Sequence, residues 1–311
     1  MKIFKTVDEL NKYLKQSNVA LTMGNFDGVH LGHQSLINSI KKSVSSDNCK
    51  LGIVTFVPHP RVVLKGDIGF LINGYNERRN LLAELKIDFV LELKFDRDFS
   101  TQKPEDFLTN YIFKVNNLNS LYLGHDFAFG ANKQGSFELV KQIGGERGVN
   151  VFLESEVVSN GGLRFSSTEI RQAVSDGDMP KASSLLGRSF YVSGSVVKGQ
   201  GRGKKIGFPT ANILIDNSRI IPRNGVYQTL TTFKGMVYQS ITNVGVNPTF
   251  KDDKKTIVET NIFDFDEDIY GETIKVEFID YIRDEKKFNS VNELVDQISI
   301  DVKNVKKVFK C

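Results

Sequence analysis

Residues 19–44 read VALTMGNFDGVHLGHQSLINSIKKSV. The apolar run ends at Met23, Gly24 and Gly28 permit a tight turn, and a helical pattern starts near Leu31. That sequence of strand, turn and helix opens a βαβ unit. A helix begun this way presents unpaired N–H groups and a positive dipole end, which together attract phosphate. His30 and His33 stand at that start, and three readings are open for them: zinc ligands, packed core side chains, or groups facing an anion. Zinc would need a third and fourth ligand, and neither a Cys nor an HExxH helix lies nearby to supply them. Core packing sits poorly with the surrounding glycines and aspartate, in a loop at the sheet end where α/β folds carry their sites. Phosphate chemistry uses every feature of the stretch.

From Val19 to about Leu153 the same alternation continues outward. VALTM, LGIVTFV, DFVLEL and LYLG read as strands, with HQSLINSIKKSV, NERRNLLAELK and PEDFLTNYIF as helices between them. Strands this apolar are buried on both faces, so the expected fold is a doubly wound α/β domain around a parallel sheet. After a helical stretch from Thr168 to Leu186 the pattern changes: GRSFYVSGSVV, GVYQTLTTF, GMVYQSITNV, TIVETNIFDF and TIKVEFIDYI are short β runs punctuated by glycine and proline. They predict an antiparallel sandwich or small barrel, closed by the helical NSVNELVDQISIDVKNVKKVF. The boundary is placed near Ser184 to Gly187, giving domains 1–185 and 186–311.

Composition narrows the function without naming it. The chain has 311 residues, 40% of them hydrophobic and 25% charged, enough for two domains each with its own core. A net charge of +4 suits anionic ligands and is too mild to imply nucleic acid. MKIFKTVDELNKYLK lacks the apolar run of a signal peptide, no stretch is long and apolar enough to cross a bilayer, and Cys49 and Cys311 are the only cysteines. A cytoplasmic protein without membrane or nucleic-acid partners is expected, with self-association left open.

A second constellation, VVKGQGRGKKIGFPTAN at residues 196–212, sets Lys198, Arg202, Lys204 and Lys205 among four glycines. A solvated loop or an RNA-binding arm would account for the cations but not for the Pro-Thr-Ala-Asn that follows. Backbone N–H groups freed by glycine, flanking cations, and the hard oxygens of Thr210 and Asn212 together suit a nucleotide with Mg²⁺.

His30-Leu31-Gly32-His33 resembles the HxGH signature of nucleotidylyltransferases, and GNFDGVHLGH resembles the form found in prokaryotic bifunctional riboflavin kinase/FMN adenylyltransferases. Later segments match in the family's order: TFVPHPRVVL (55–64), LGHDFAFG (123–130), SSTEIR (166–171), then the riboflavin kinase signature at 196–212 with Lys204 replacing its second arginine. GVY (225–227), NVGVNPTF (243–250), ETNIFDFDEDIYGE (259–272) and RDEKKF (283–288) complete the resemblance over nearly the whole chain. It implies a nucleotidylyltransferase-type Rossmann-like domain, a small β-barrel with a terminal helix, and ATP, riboflavin and FMN as substrates with Mg²⁺.

By the same resemblance His30, His33 and Arg171 would serve adenylyl transfer, with Gly24, Phe26, Asp27, Gly28, Ser167 and Thr168 around the ATP. Gly199, Arg202, Lys204 and Lys205 would hold the kinase ATP, Thr210 and Asn212 the metal, and Glu259 would be the general base. His59, Asp126, Gly225, Tyr227, Arg283 and Phe288 would lie on the flavin side. Bland alternatives stand beside several of these: SSTEIR as a plain helix cap, His59 as turn decoration between prolines, Glu259 as an outward strand charge. The chain departs from the family pattern at Ala128 and Lys198, at Ser136 after Gly135, and at Asn261, positions where arginine, histidine, aspartate and histidine are usual. Rival readings are a flavin-binding regulator that has lost turnover and an RNA binder whose affinity would fall steeply with salt.

If each constellation is complete within its half, a fragment ending near Leu185 converts FMN to FAD and leaves riboflavin unphosphorylated. Separation of riboflavin, FMN and FAD after incubation with ATP checks this; FMN formation by the fragment would refute the division.

Overall fold

Alternating apolar runs and helical segments do fold as a parallel sheet followed by a barrel. The structure, a computed structural model, describes residues 1–44, 48–66, 68–125, 129–130, 135–155, 164–199, 201–246 and 256–308. Asp126 and Ala128 lie outside the described residues. The chain divides into two compact units, Met1–Ser167 and Thr168–Cys311.

The first unit runs β1 (Lys2–Phe4), α1 (Val7–Leu14), β2 (Asn18–Met23), α2 (Leu31–Ser43), β3 (Cys49–Val57), α3 (Pro60–Lys65), α4 (Tyr75–Glu84) and β4 (Phe89–Lys94). It continues through α5 (Arg97–Ser100), α6 (Pro104–Phe107) with a π-helical turn at Leu108–Ile112, β5 (Leu118–Gly124), α7 (Phe137–Glu146) and β6 (Asn150–Glu154). The six strands lie in the order β1-β4-β3-β2-β5-β6, all parallel. Alternate residues feed two cores, Leu21, Leu91 and Leu121 on one face and Ala20, Ile53 and Val90 on the other. The chain steps outward from β2 through β3 to β4, then returns to lay β5 on the other side of β2. The loop after β2 therefore opens at the sheet's switch point, where ligands of α/β folds bind.

In the second unit α8 (Ser167–Asp176) starts at the boundary residue and α9 (Met179–Leu186) packs on the strands that follow. The expected single helical stretch from Thr168 is thus two helices. Gly177, at φ 78°, ends the first, and the Asp178 side chain accepts from Lys181 N to begin the second, with Pro180 in its first turn. Strands β7 (Phe190–Val197), β8 (Ala211–Leu214), β9 (Gly225–Phe233), β10 (Met236–Val246), β11 (Thr256–Ile262) and β12 (Thr273–Arg283) close into a barrel ordered β10-β11-β8-β7-β12-β9. The short α10 (Arg202–Lys205) and the long α11 (Val291–Val308) complete it. The sequence left sandwich and barrel open, and closure decides for the barrel.

The barrel interior is not purely apolar. Thr229, Thr231, Ser240, Thr242 and Thr260 are fully buried hydroxyls that satisfy one another: Thr229 with Ser240 and with Thr242 at 2.8 Å, Thr231 with Ser240 at 2.8 Å, and Thr242 donating to Thr260 at 2.9 Å. Thr242→Val keeps the shape and removes a hydroxyl that Thr229 and Thr260 both use. Leaving a buried hydroxyl unpaired costs roughly 1–3 kcal/mol, so a drop of that size in urea-unfolding stability is expected. An unchanged midpoint would show that the hydroxyls contribute nothing net.

Candidate active sites

The loop joining β2 to α2 is backbone under strain. Phe26 and Val29 have φ of 49° and 40°, and Gly28 lies between them at 87°. Left-handed backbone at a bulky and a β-branched residue costs of order 1–3 kcal/mol each and persists only where the surroundings enforce it. Here they do. The Asn25 carbonyl accepts from Arg78 Nη1 at 2.8 Å and from Thr55 Oγ1 at 3.4 Å. The buried Asp27 carboxylate accepts from the Ile72 and Asn73 amides at 3.0 and 3.4 Å. Ser167 Oγ donates to the Asp27 carbonyl at 2.8 Å, and Gln34 Nε2 to the Val29 carbonyl at 2.9 Å.

This loop delivers the two histidines. His30 is the N-cap of α2: its Nδ1 accepts from the His33 amide at 3.4 Å, and it is only 5% exposed. Its ring stacks on His33 at 3.7 Å with 21° between planes, and Phe26 covers His33 from 4.9 Å. Gly32 leaves room for this stack, since a Cβ there would lie 3.1 Å from the His30 ring and 3.1 Å from Phe165 Cβ, close enough that one of them would have to shift. Burial, reinforced by charge on His30 and Arg78, holds the half-buried His33 well below the ordinary histidine pKa. Two stacked rings cannot both be cationic without an anion between or beside them. Among the described residues no group of three or more His, Cys, Asp or Glu forms a metal cage. The pair is packed and also stands at the start of α2.

Of the other first-unit candidates, Ser167 reaches the loop directly, while Asp27 acts through its backbone ties. Thr168 and Arg171 lie one and four residues further along α8. His59 caps α3, its Nδ1 accepting from Arg61 N at 3.1 Å while its own amide donates to Tyr75 Oη, and its ring packs on Phe70 at 5.0 Å. Ser136, standing where the family pattern has an acid, caps α7 by accepting from Leu139 N.

In the barrel, strand register brings together what the sequence scatters. Asn212 pairs with Val197 on one side and Glu259 on the other, and Glu259 pairs in turn with Asn243. Residues directly opposite stand about 5 Å apart on one face, so Asn212, Glu259 and Asn243 form one row. Gly199 crosses against this row so closely that a Cβ would lie 2.2 Å from Asn212 Nδ2. Asn261 donates to the Pro209 carbonyl at 2.6 Å, so the residue departing from the family pattern tethers the Pro-Thr-Ala-Asn turn. Burial raises the Glu259 pKa, Arg202 opposes this, and Glu285 adds to it. Arg202, Lys204 and Lys205 are exposed on α10 beside this row's glycine-rich strand end.

Three flavin-side candidates have structural partners. Tyr227 is fully buried, donates to the Arg223 carbonyl at 2.7 Å and packs edge-on against Phe278, with burial driving its pKa up; it is core. Gly225 begins β9 beneath Tyr281, and Arg283 binds Asp301 of α11 through Nε and Nη2 at 2.9 and 2.7 Å. Phe288 is half-buried before α11. Sequence reasoning missed Arg78, Glu92 and Asn243. A lone Glu in the apolar strand DFVLEL was a usable signal, because a carboxylate there needs a buried cation.

Two family models match separate parts of the chain. Residues 12–169 match the family model for FAD synthetase and residues 186–309 that for riboflavin kinase. A bifunctional riboflavin kinase/FMN adenylyltransferase of Bacillus subtilis is 34% identical over 95% of this chain and 94% of its own. That of Escherichia coli is 33% identical over 99% and 98%. A crystal structure described as a macrolide-efflux protein from Streptococcus pneumoniae is 33% identical, covers 98% of both chains and superposes with a TM-score of 0.86. Among the described residues, no helix is long and apolar enough to cross a membrane.

The depressed His33 pKa carries a sign that can be tested. The unfolded chain binds a proton at His33 below about pH 6.5, whereas the folded chain resists it until a lower pH. The contribution is therefore fully present above about pH 6.5 and lost as pH falls toward the folded pKa. Between about pH 7.5 and about pH 5 the parent should lose urea-unfolding stability more steeply than His33→Asn. Equal slopes would refute a neutral, packed ring.

Proposed function

Because the chain belongs to the bifunctional riboflavin kinase/FMN adenylyltransferase family, we propose that it makes FAD from riboflavin in two ATP-dependent steps, with the functional boundary at 185/186. Residues 186–311 phosphorylate riboflavin to FMN, and residues 1–185 adenylylate FMN with release of pyrophosphate. What supports the assignment of sites is one observation: the register that sets Glu259 beside Asn212 of the Pro-Thr-Ala-Asn turn.

In the kinase step Glu259 accepts the proton of the ribityl hydroxyl as that oxygen attacks the γ-phosphorus and the β–γ bridging bond breaks. Burial raises its pKa, which makes it a stronger base than an exposed carboxylate. Arg202, Lys204, Lys205 and the amide of Gly199 hold the triphosphate. Thr210 and Asn212 offer uncharged hard oxygens, a donor set that fits Mg²⁺ arriving on ATP, where the ion neutralises phosphate charge.

In the adenylyl step an FMN phosphate oxygen attacks the α-phosphorus, and no side chain serves as nucleophile. His30 and His33 donate to the oxygens on which charge grows, from a position fixed in advance by the helix cap and the ring stack. A neutral His33 gains its proton most readily once the triphosphate is present. Ser167, Thr168 and Arg171 complete the phosphate contacts, while His59 serves the flavin side. A cytoplasmic location, where ATP is supplied, belongs to the same reading, which requires no nucleic acid, membrane or self-association.

Incubation with riboflavin, ATP and Mg²⁺ should yield FMN and then FAD. The sites separate by reciprocal variants. Glu259→Gln is expected to lower riboflavin phosphorylation at least ~100-fold with FMN adenylylation intact, the lower end of a general base's contribution. His33→Ala should do the reverse by a similar factor of about 100. Parallel loss of both activities in either variant would sink the assignment.

A further inference from the structure

Arg78 and Arg79 are neighbours on α4 and both approach Glu92 of β4, yet they bind it differently. Arg79 makes a fork, Nε and Nη2 to the two carboxylate oxygens at 2.8 and 2.6 Å, and Lys5 also pairs with Glu92. That is a structural ion pair, with Glu92 only 1% exposed. Arg78 is the more deeply buried arginine, at 3% exposure, but its Nη2 stands 3.8 Å from Glu92 and makes no hydrogen bond there. Its Nε is likewise unpaired. Its hydrogen bond goes instead to the Asn25 carbonyl, one residue before the left-handed Phe26. A buried guanidinium that forgoes a fork with an adjacent carboxylate to hold one carbonyl is placed for that carbonyl.

We propose that Arg78 is a positioning residue for adenylyl transfer, clamping Asn25 so that the strained Phe26–Val29 backbone presents His30 and His33 to the triphosphate. The inference rests on the adenylyl-transfer reading of that loop. Sheet geometry supports it: Thr55 pairs with Glu92 across β3 and β4, and Thr55 Oγ1 reaches the same Asn25 carbonyl. Two donors on one carbonyl at the switch point form a floor beneath the loop. Arg78 also acts electrostatically on His33, together with His30, while Glu92, Asp27 and Arg79 face Arg78 itself. Removing the cation should therefore alter His33 as well as the loop.

The test uses the full chain, in which riboflavin phosphorylation reports whether the protein is folded. Arg78→Met should lower kcat for FMN adenylylation by at least ~30-fold, on the scale of a small displacement of catalytic groups, with riboflavin phosphorylation within about twofold. Arg78→Lys, which keeps the charge, should recover most of that loss, to within about fivefold of the parent. In NMR titrations of the chain's four histidines, the His33 pKa should rise in Arg78→Met and stay in place in Arg78→Lys. Should Arg78→Met lose phosphorylation as well, Arg78→Gln, which keeps a donor without the charge, takes its place with the same expected rise at His33. Adenylylation within threefold of the parent and an unmoved His33 titration in the folded neutral variant would overturn the proposal. A parent chain that forms no FAD from FMN would instead overturn the reading on which it rests.

Discussion

The first unit is organised around a piece of backbone that would not hold its shape alone. Phe26 and Val29 occupy a region that L side chains avoid, in the loop between β2 and α2. The ties that keep them there come from five directions: the Ile72–Asn73 segment through Asp27, α4 through Arg78, β3 through Thr55, Ser167 at the start of α8, and Gln34 within α2. Segments far apart in sequence thus meet on the five residues Asn25 to Val29. The strain is offset by burial and hydrogen bonding elsewhere, which is how a local conformation too costly for a peptide becomes a fixed feature of a protein.

The central part of the fold could be read from sequence because burial on both faces leaves a strong signal. β2, β3, β4 and β5 are near-continuous apolar runs, and their positions match the expected strands. β1 and β6 were not anticipated. They are the sheet's edges, short and largely exposed, so their residues obey no strict pattern. β8 was hidden for another reason: its four residues overlap the end of a motif whose cations and glycines read as a loop. The break between α8 and α9 was legible in Gly177-Asp178-Met179-Pro180, a stop followed by a cap and a first-turn proline, and was passed over in favour of continuous helical periodicity.

The sites divide along similar lines. Motif spacing singled out His30, His33, Asn212 and Glu259, which the structure sets at the start of α2 and along one row of paired strands. It could not tell binding from support. Asp27, Tyr227 and Arg283 stand inside recognisable segments, yet the first ties backbone, the second fills the barrel core, and the third holds α11 through Asp301. Arg78 presents the opposite case. In NERRNLLAEL it looks like one more charge on a solvated helix face, and only the three-dimensional path of a loop fifty residues earlier brings it into the interior.

The hydroxyls inside the barrel have a consequence of their own. Each carries a single proton, so in a closed set of contacts the choice made by one constrains the next. Thr242 donates to Thr260, which obliges Thr229 to donate to Thr242, Ser240 to Thr229, and Thr231 to Ser240. The direction of four O–H bonds on three strands is thereby set by one of them. The centre of the barrel holds an ordered run of dipoles that ends on the residue next to Glu259, and reversing any single hydroxyl would require turning all of them.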